Sequence, residues 1–206
     1  DGSEVMRILV TGGAGYIGSH TCVVLLEAGH SVTVIDNFCN SSPIALERVQ
    51  ALTGRPLSLV EGDIRNRDDL ECAFEGGVDA VIHFAALKAV GESCEQPLNY
   101  FDNNIGGTIT LMQAMEAHAV QRLVFSSSAA VYGQPERLPV TEEAPLRVEN
   151  PYGRSKLVME QLIQDWCAVR PKARAALLRY FNPIGAHPSG LIGEDPRGEP
   201  NNLMPY

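Results

Sequence analysis

The sequence is poor in basic residues and has no long apolar run, and each shortage excludes a class of protein. Its 206 residues include 16 Lys and Arg against 25 Asp and Glu, for a net charge of −9. A nucleic-acid-binding protein needs a basic face, so this balance argues against that function. No apolar stretch approaches the roughly 18 residues of a membrane-spanning helix, and no signal peptide is recognisable.

Paired cysteines and metal-ligand spacings are lacking as well. The five cysteines are scattered and have no C-x-x-C spacing, which indicates reduced, mostly buried thiols in a cytoplasmic protein. The five histidines are also scattered, so no metal site is predicted. Residues 1–5 precede the first Met and are interpreted as a leader or an expression remnant outside the fold.

The sequence does contain a regular alternation of strands and helices. Apolar, β-branched runs predict strands near 7–11, 31–35, 57–60, 79–83, 122–126 and 175–180. Helices are predicted near 16–28, 43–52, 68–75, 97–118 and 152–169. This alternation predicts an α/β fold, a Rossmann-like doubly wound parallel sheet with helices on both faces. Residues 134–150 are predicted to form a surface loop.

The first strand leads into a glycine-rich turn, Gly12-Gly-Ala-Gly15-Tyr-Ile-Gly18. Gly12 allows a sharp turn, Gly15 lets a pyrophosphate approach the backbone, and Gly18 lets the next helix pack close to the strand. The helix that follows directs its N-terminal amides at the phosphates. The turn therefore predicts a dinucleotide site, although its G-x-x-G-x-x-G spacing differs from the more common G-x-G-x-x-G.

Asp36 stands at the end of the second predicted strand, 18 residues after Gly18. A carboxylate at this point can accept hydrogen bonds from the adenosine ribose, and it would repel a 2′-phosphate. No Arg follows at once, so NAD is predicted in preference to NADP.

Tyr152 and Lys156 occupy positions i and i+4 of a predicted helix, so their side chains share a face. A phenol with a pKa near ~10 must lose about three units to act as a base at neutral pH. A nearby ammonium favours the phenolate and supplies part of that shift. The same helix carries a predicted apolar docking stripe: Val158, Leu162, Trp166 and Val169.

Ser128 ends the fifth predicted strand, at the sheet edge where parallel α/β proteins bind their ligands. Its hydroxyl can donate and accept a hydrogen bond, so it is the candidate for holding a substrate hydroxyl. Ser126 and Ser127 are expected only to cap backbone groups, and His83 is interpreted as structural. With the glycine turn, these groups predict a nicotinamide-dependent redox enzyme.

Six segments together resemble the UDP-galactose (UDP-glucose) 4-epimerases of the extended short-chain dehydrogenase/reductase superfamily. They are VTGGAGYIGSH (10–20), HFAALKAVGES (83–93), FSSSAAVYG (125–133), NPYGRSK (150–156), LRYFNP (178–183) and NNLMPY (201–206). The resemblance runs from about Met6 to Tyr206. It implies an NAD-binding Rossmann domain over 6–182 and the start of a C-terminal substrate-binding region over 183–206. The family has a further C-terminal segment that this sequence does not include.

The resemblance implies site residues position by position. Tyr152 is the base, and Lys156 is its partner on the nicotinamide ribose. The implied cofactor contacts are Gly12, Gly15, Tyr16, Ile17, Gly18, Asp36, Asn37, Asp63, Ile64, Phe84, Ala85, Lys88, Asn103, Tyr152, Lys156 and Tyr180. The implied substrate contacts are Ser128, Tyr152, Asn182, Asn202 and Leu203. The residue patterns alone leave backbone capping open as an alternative for Asn103, Asn182 and Asn202.

The implied activity is NAD-dependent epimerisation at C4 of a UDP-hexose through a transient 4-keto sugar, in a homodimer. Related dehydratases and decarboxylases place Asp or Glu just after the strand-end hydroxyl, where this sequence has Ala129 and Ala130. This difference favours simple epimerisation. Two alternatives stay open: a UDP-N-acetylhexosamine 4-epimerase, and an inactive NAD-binding fragment.

Overall fold

The computed structural model describes residues 4–195, and within them strands and helices alternate as predicted. The strands are β1 (Arg7–Thr11), β2 (Ser31–Asp36), β3 (Ser58–Glu61), β4 (Ala80–His83), β5 (Arg122–Ser128) and β6 (Arg174–Tyr180). The α-helices are α1 (Tyr16–Glu27), α2 (Pro43–Thr53), α3 (Arg67–Phe74), α4 (Val90–Glu95), α5 (Pro97–Tyr100), α6 (Gly107–Ala117) and α7 (Pro151–Ala168). A π-helical turn spans Phe101–Gly106, and a 3₁₀ turn spans Ala129–Val131.

The six strands of the described chain form one parallel sheet in the order β3-β2-β1-β4-β5-β6. The order reverses between β1 and β4, so a crevice opens beyond the carboxyl ends of these two strands. The turn after β1 and the loop after β4 face each other across this crevice. The predicted Rossmann-like doubly wound sheet is confirmed.

Each face of the sheet has its own core. On one face α1 and α2 pack around Val10 and Val34. On the other face α3, α6 and α7 pack around Leu9 and Phe125. Leu9 and Val10 are neighbours in β1, so their side chains point to opposite faces. A central strand that is buried on both faces therefore needs the continuous apolar run that the sequence shows.

Side-chain caps begin three of the helices. The hydroxyl of Ser42 accepts a hydrogen bond from a backbone N–H at the start of α2. The side-chain amide oxygens of Asn66 and Asn150 accept in the same way at the starts of α3 and α7. These bonds satisfy donors that the first helical turn leaves without an intrahelical partner. At α1 the capping residue is Gly15, which has no side chain to do this, so the first turn of α1 is suited to an external anion.

The helix predicted near 97–118 is confirmed in its extent, with a π-helical turn in its middle. The chain forms α5, the π-helical turn and α6 in succession, and α4 precedes them without having been predicted. Gln96 separates α4 from α5 with φ −128° and ψ 57°, because a residue before proline avoids the helical region. The π-helical turn buries the side chains of Asn103 and Asn104.

The predicted apolar stripe of α7 is also wrong in its register. The buried apolar residues are Met159, Ile163 and Trp166, whereas Val169 is 72% exposed. Lys156 and Glu160 lie on the same buried face. Because these two residues are polar, the apolar residues alone do not show the helical period of that face.

No disulfide joins any of the five cysteines, all of which lie in the described part of the chain, but the expectation that most are buried is wrong. Cys22 is buried and Cys167 is intermediate, whereas Cys39, Cys72 and Cys94 are exposed. No helix within residues 4–195 is long and apolar enough to cross a membrane. Residues 134–150 form the predicted loop without a helix or strand.

Candidate active site

The turn between β1 and α1 holds two backbone segments in close contact. Gly12 has a φ of +69°, and a Cβ at this position would lie 2.7 Å from the amide nitrogen of Ala85, in the loop after β4. A Cβ at Gly18 would overlap the carbonyl oxygen of Gly12. Both positions therefore require glycine, and a narrow cradle of backbone forms at the N-terminus of α1. Tyr16 and Ile17 form the first turn of this helix.

Asp36 is buried at the end of β2 and bonds to the glycine turn. Its Oδ2 accepts a hydrogen bond from the amide of Ala14 at 3.0 Å. Its Oδ1 accepts from the amide of Phe38 at 2.9 Å and from the hydroxyl of Ser41 at 2.8 Å. The carboxylate that was predicted to bind the ribose thus also fixes the shape of the phosphate-binding turn.

Asn37 and Asp63 lie together at the ends of β2 and β3. The amide nitrogen of Asn37 donates to Asp63 Oδ2 at 3.1 Å. Arg65 pairs with Asp63 at 2.7 Å and with Asp102 at 2.8 Å, and its hydrogen bonds lower the pKa of Asp63 to about 2. Ile64 is buried beside them. The residues predicted to border the adenosine therefore form one connected group.

The loop after β4 is tied to the end of β1. The amides of Phe84 and Ala85 donate to the carbonyl of Thr11 at 3.0 and 3.2 Å, and the amide of Ala85 also donates to the Thr11 hydroxyl at 3.2 Å. Lys88 is farther along the loop and largely exposed, with its ammonium 3.6 Å from Glu194. This geometry brings the predicted cofactor residues Phe84 and Ala85 against the glycine turn.

Asn103 lies in the π-helical turn, with its side chain buried. Its amide nitrogen donates to Oδ1 of Asn104 at 3.0 Å. That bond is the kind of local role that the sequence left open for this residue. The predicted contact of Asn103 with cofactor phosphates stays a prediction.

Ser128, Tyr152 and Lys156 converge at the carboxyl end of β5. The side chains of Ser128 and Tyr152 lie close enough for the Ser128 hydroxyl to lower the pKa of the phenol. The ammonium of Lys156 donates to the carbonyl of Ser126 at 2.7 Å and lies 6.0 Å from the centre of the Tyr152 ring. A hydroxyl, a phenol and a buried amine therefore stand side by side, as the sequence predicted.

Burial dominates the acid–base properties of this group. It raises the pKa of Tyr152, and the hydrogen bond from Ser128 opposes that rise. Burial lowers the pKa of Lys156 to about 7, and the nearby Glu160 carboxylate opposes that fall. Burial disfavours both the phenolate of Tyr152 and the ammonium of Lys156. These side chains alone therefore do not produce the lowered phenol pKa that the sequence led us to expect.

Tyr180 ends β6 directly beside Ser128 in the strand register, and burial raises its pKa. Asn182 follows two residues later and is exposed. The two remaining predicted substrate contacts, Asn202 and Leu203, lie outside the described residues.

Three buried side chains that the sequence did not single out hold the catalytic turn in place. The Ser93 hydroxyl accepts the amide of Tyr152 at 3.2 Å. The Ser155 hydroxyl donates to the Tyr152 carbonyl at 2.8 Å and accepts from Asn104 at 3.0 Å. Asn104 in turn bonds both the amide and the carbonyl of Leu87. These contacts join residues far apart in sequence, so no local spacing signals them.

The arrangement is suited to moving a proton between a ligand hydroxyl and the phenol of Tyr152. The Ser128 hydroxyl can hold the ligand hydroxyl, and the Lys156 amine can stabilise the phenolate. Ala129 and Ala130 follow Ser128, so this strand end adds no carboxylate. Residues 4–195 contain no group of three His, Cys, Asp or Glu side chains placed to hold a metal ion.

Comparison with known proteins agrees with this geometry. A sequence profile described as "NAD dependent epimerase/dehydratase family" matches residues 8–206. The chain belongs to this family. Among curated relatives, the UDP-glucose 4-epimerase of Dictyostelium discoideum is 57% identical over 201 residues, and that of Bacillus subtilis (strain 168) is 57% identical over 202. These alignments cover 97% and 98% of this chain but 58% and 60% of the relatives.

A solved structure of a family member superposes closely. The UDP-glucose 4-epimerase of Bifidobacterium longum, in complex with NAD⁺ and UDP, matches with a TM-score of 0.94 and 52% identity. The match covers 97% of this chain and 60% of that one. The chain therefore spans about three-fifths of the length of the epimerases that it resembles.

Proposed function

We propose that this chain forms the cofactor-binding and catalytic part of an enzyme that epimerises C4 of a UDP-hexose, interconverting UDP-galactose and UDP-glucose. The observation that carries the proposal is the contact of Ser128 with Tyr152 above the buried Lys156, at the sheet edge beside the glycine turn. The identity of 57% to UDP-glucose 4-epimerases supports this reaction over others that the family performs.

The residues around the crevice fit NAD. The cradle that a Cβ at Gly12 or Gly18 would fill accommodates a pyrophosphate against the first turn of α1. Asp36 and Asn37 would hold the adenosine ribose, Asp63 and Ile64 would border the adenine, and the loop of Phe84, Ala85 and Lys88 would line the phosphates. Asn103 and Tyr180 complete the proposed contacts. NAD, when bound, accepts the hydride from C4 and returns it.

Tyr152 and Ser128 carry the proton chemistry of the proposed mechanism. Ser128 holds the sugar 4-hydroxyl, and Tyr152 takes its proton as C4 is oxidised to the 4-keto sugar. After the sugar turns over in the site, Tyr152 returns the proton to the oxygen as hydride adds to the other face of C4. Lys156 stabilises the phenolate that Tyr152 carries before it takes this proton and again after it has returned it. Asn182, Asn202 and Leu203 are proposed to contact the sugar nucleotide.

The proposed domain division follows from this assignment. Residues 6–182 form the NAD-binding domain, residues 183–206 begin the substrate-binding region, and residues 1–5 lie outside both. Three exposed cysteines suit a reducing compartment, and we place the protein in the cytoplasm.

We also propose a homodimer. Leu111, Met112 and Met115 of α6 are buried in the core, so an interface on this side would use the exposed Leu98 and Ile109. Sedimentation of the wild-type chain and of Leu98→Asp tests this. A dimer that the substitution dissociates supports the proposal, and a monomeric full-length protein contradicts it.

The reaction is tested by incubating the purified chain with UDP-galactose, with no NAD added, and separating the nucleotide sugars by chromatography. Formation of UDP-glucose establishes the activity and shows that the cofactor is retained. UDP-N-acetylgalactosamine is assayed in parallel, because conversion of that sugar alone would identify the N-acetylhexosamine enzyme. The same assay is run on the full-length protein, and NAD-loaded full-length protein that converts neither sugar would overturn the proposal.

A further inference from the structure

A buried ion pair lies one helical turn beyond the catalytic lysine. Glu160 of α7 is 1% exposed, and Arg179 of β6 binds it with two parallel hydrogen bonds. Arg179 Nε donates to Oε1 at 2.9 Å, and Nη2 donates to Oε2 at 2.7 Å. Burial of two charges is costly unless both are well paired, and this two-point contact is the strong form of such a pair.

Two further groups complete the environment of this pair. The Ser127 hydroxyl donates to Oε1 of Glu160. The third nitrogen of Arg179, Nη1, donates to the Tyr132 hydroxyl at 2.9 Å, and the guanidinium lies 4.9 Å from the centre of the Tyr132 ring. The carboxylate of Glu160 is therefore fully engaged on the side that faces β5 and β6.

Lys156 stands four residues before Glu160 on the same buried face of α7. Side chains at i and i+4 of a helix are close enough to form an ion pair, yet Lys156 donates to the Ser126 carbonyl instead. Among the residues that the structure describes, Lys156 takes part in no ion pair. Arg179 thus occupies the carboxylate that is nearest to Lys156 along the helix.

We propose that Arg179 is a positioning residue that withholds the Glu160 carboxylate from Lys156 and thereby sets the charge that Lys156 presents to Tyr152. With Glu160 neutralised by Arg179, the buried amine of Lys156 exchanges its proton near neutral pH, in line with its lowered pKa. If Glu160 were released, its charge would favour the ammonium form of Lys156. The consequence for catalysis rests on the proposed function, whereas the titration of Lys156 does not.

Other ionisable groups lie on the elements that pack against α7, and each is a candidate influence on Lys156. His83 is the partner for which an electrostatic interaction with Lys156 is evident, and the amine lowers the pKa of that ring. Among the ionisable groups on α7 and on its neighbouring elements are Tyr152, Glu160, His83, Glu92, Tyr100, Asp102, Tyr132, Arg179 and Tyr180. Of these, Glu160 is the anion that raises the pKa of Lys156.

The chain contains three lysines, Lys88, Lys156 and Lys172, which makes a direct measurement simple. Protein labelled with ¹³C-lysine is titrated by NMR, and the Cε shift of each lysine is followed from pH 5.5 to 11. Lys156→Met assigns the Lys156 signal. The exposed Lys88 and Lys172 are internal controls, whose signals should be the same in every variant.

Three variants test the proposal. Arg179→Met releases Glu160 and should raise the Lys156 midpoint by about one pH unit or more, because an unpaired carboxylate favours the ammonium. Glu160→Gln leaves the Arg179 charge without its partner and should lower the midpoint. The double variant removes both charges and should return the midpoint to within about half a unit of the wild type.

Opposite shifts from the two single variants support the proposal. An unchanged midpoint in Arg179→Met, or a shift of the same sign in both, would overturn it. If Arg179→Met does not fold, Glu160→Gln decides, and the absence of a downward shift then overturns the proposal. The measurement uses no sugar nucleotide, so a failed epimerase assay leaves its outcome unaffected.

Discussion

The imidazole of His83 is held between the hydroxyls of Thr11 and Thr108 at the centre of the molecule. Its Nδ1 lies 2.6 Å from the Thr11 hydroxyl, and its Nε2 lies 2.9 Å from that of Thr108. The Thr108 hydroxyl donates to the Asn104 carbonyl at 2.6 Å, so Nε2 must donate and Nδ1 must accept. His83 is therefore a neutral ring with one tautomer, which fits its interpretation as structural.

We expect His83 to make stability depend on pH. Burial, and next the charge of Lys156, lower the pKa of His83 from 6.5 to about 3. Below pH 6.5 the unfolded chain binds a proton that the folded chain does not, so stability falls as the pH drops from 6.5 toward 3. The slope from this group is at most about 1.4 kcal/mol per pH unit. The free energy of unfolding in urea is measured for the wild type and for His83→Gln between pH 7 and 5. The difference between their slopes against pH is the contribution of His83.

His187→Gln is the matched control for that measurement, because the His187 ring bonds to nearby Ser189 at the surface, so the difference between the two variants reports on the buried ring of His83. At pH 7.5, His83→Gln should also lower the free energy of unfolding by about 1–3 kcal/mol, since two buried hydroxyls lose their partner. Equal slopes for wild type and His83→Gln would contradict the assignment of His83 as a buried neutral ring.

Gly18→Ala should damage cofactor binding. Its Cβ would overlap the Gly12 carbonyl oxygen, and the backbone must move to relieve the contact, which costs about 1–3 kcal/mol. We expect NAD affinity to fall by about tenfold or more, measured by isothermal titration. Gly91→Ala is the control, because a Cβ there meets nothing within 4 Å. Equal affinities in the two variants would mean that the close approach at Gly18 does not shape the site.

Asp36→Asn should loosen the turn while keeping the size of the side chain. If the new amide nitrogen takes the place of Oδ2, it faces the N–H donor of Ala14. If it takes the place of Oδ1, it faces the donors of Phe38 and Ser41 instead. We expect about 1–3 kcal/mol of lost stability and weaker NAD binding, measured by thermal unfolding with and without NAD. The exposed Asp165 of α7 supplies the control variant Asp165→Asn, which should behave as the wild type does.

Tyr152→Phe should separate catalysis from cofactor binding. Loss of the phenol removes the proposed base, and kcat for UDP-galactose should fall about 10²–10⁴-fold while the amount of NAD that copurifies stays the same. Ser128→Ala should lower kcat as well, and should raise the pKa of Tyr152 further because its hydrogen bond lowers that pKa. Absorbance titration of the phenol checks this second effect. Full activity in Tyr152→Phe would remove Tyr152 from its assigned role.

The strands could be predicted closely because strands of a sheet that is buried on both faces are continuous apolar runs in the sequence. All six strands of the described chain lie within two residues of the predicted ranges, and each follows an apolar run. The helix near 97–118 was predicted as well, but α4 and the π-helical turn were not. The buried side chains of Asn103 and Asn104 lie in that turn, and polar residues inside a core give no apolar pattern from which such a turn could be predicted.

The same limit applies to the site. Gly12, Asp36, Tyr152 and Lys156 could be predicted because their chemistry depends on local spacing. Ser93 and Glu160 could not, because their partners, Tyr152 and Arg179, lie in other elements and a lone serine or glutamate indicates no particular neighbour. The predicted stripe of α7 was wrong because Lys156 and Glu160 interrupt its buried face.

The pairing of β1 with both β2 and β4 has a consequence for folding. Ile8 pairs with Val32 on one side and with Ala80 on the other, so the second contact closes a much longer loop and is expected to form later. The crevice between the turn after β1 and the loop after β4 exists only when that second contact is made. A ligand that fills the crevice then binds only the completed sheet. By mass action it stabilises the whole domain against unfolding, rather than one loop.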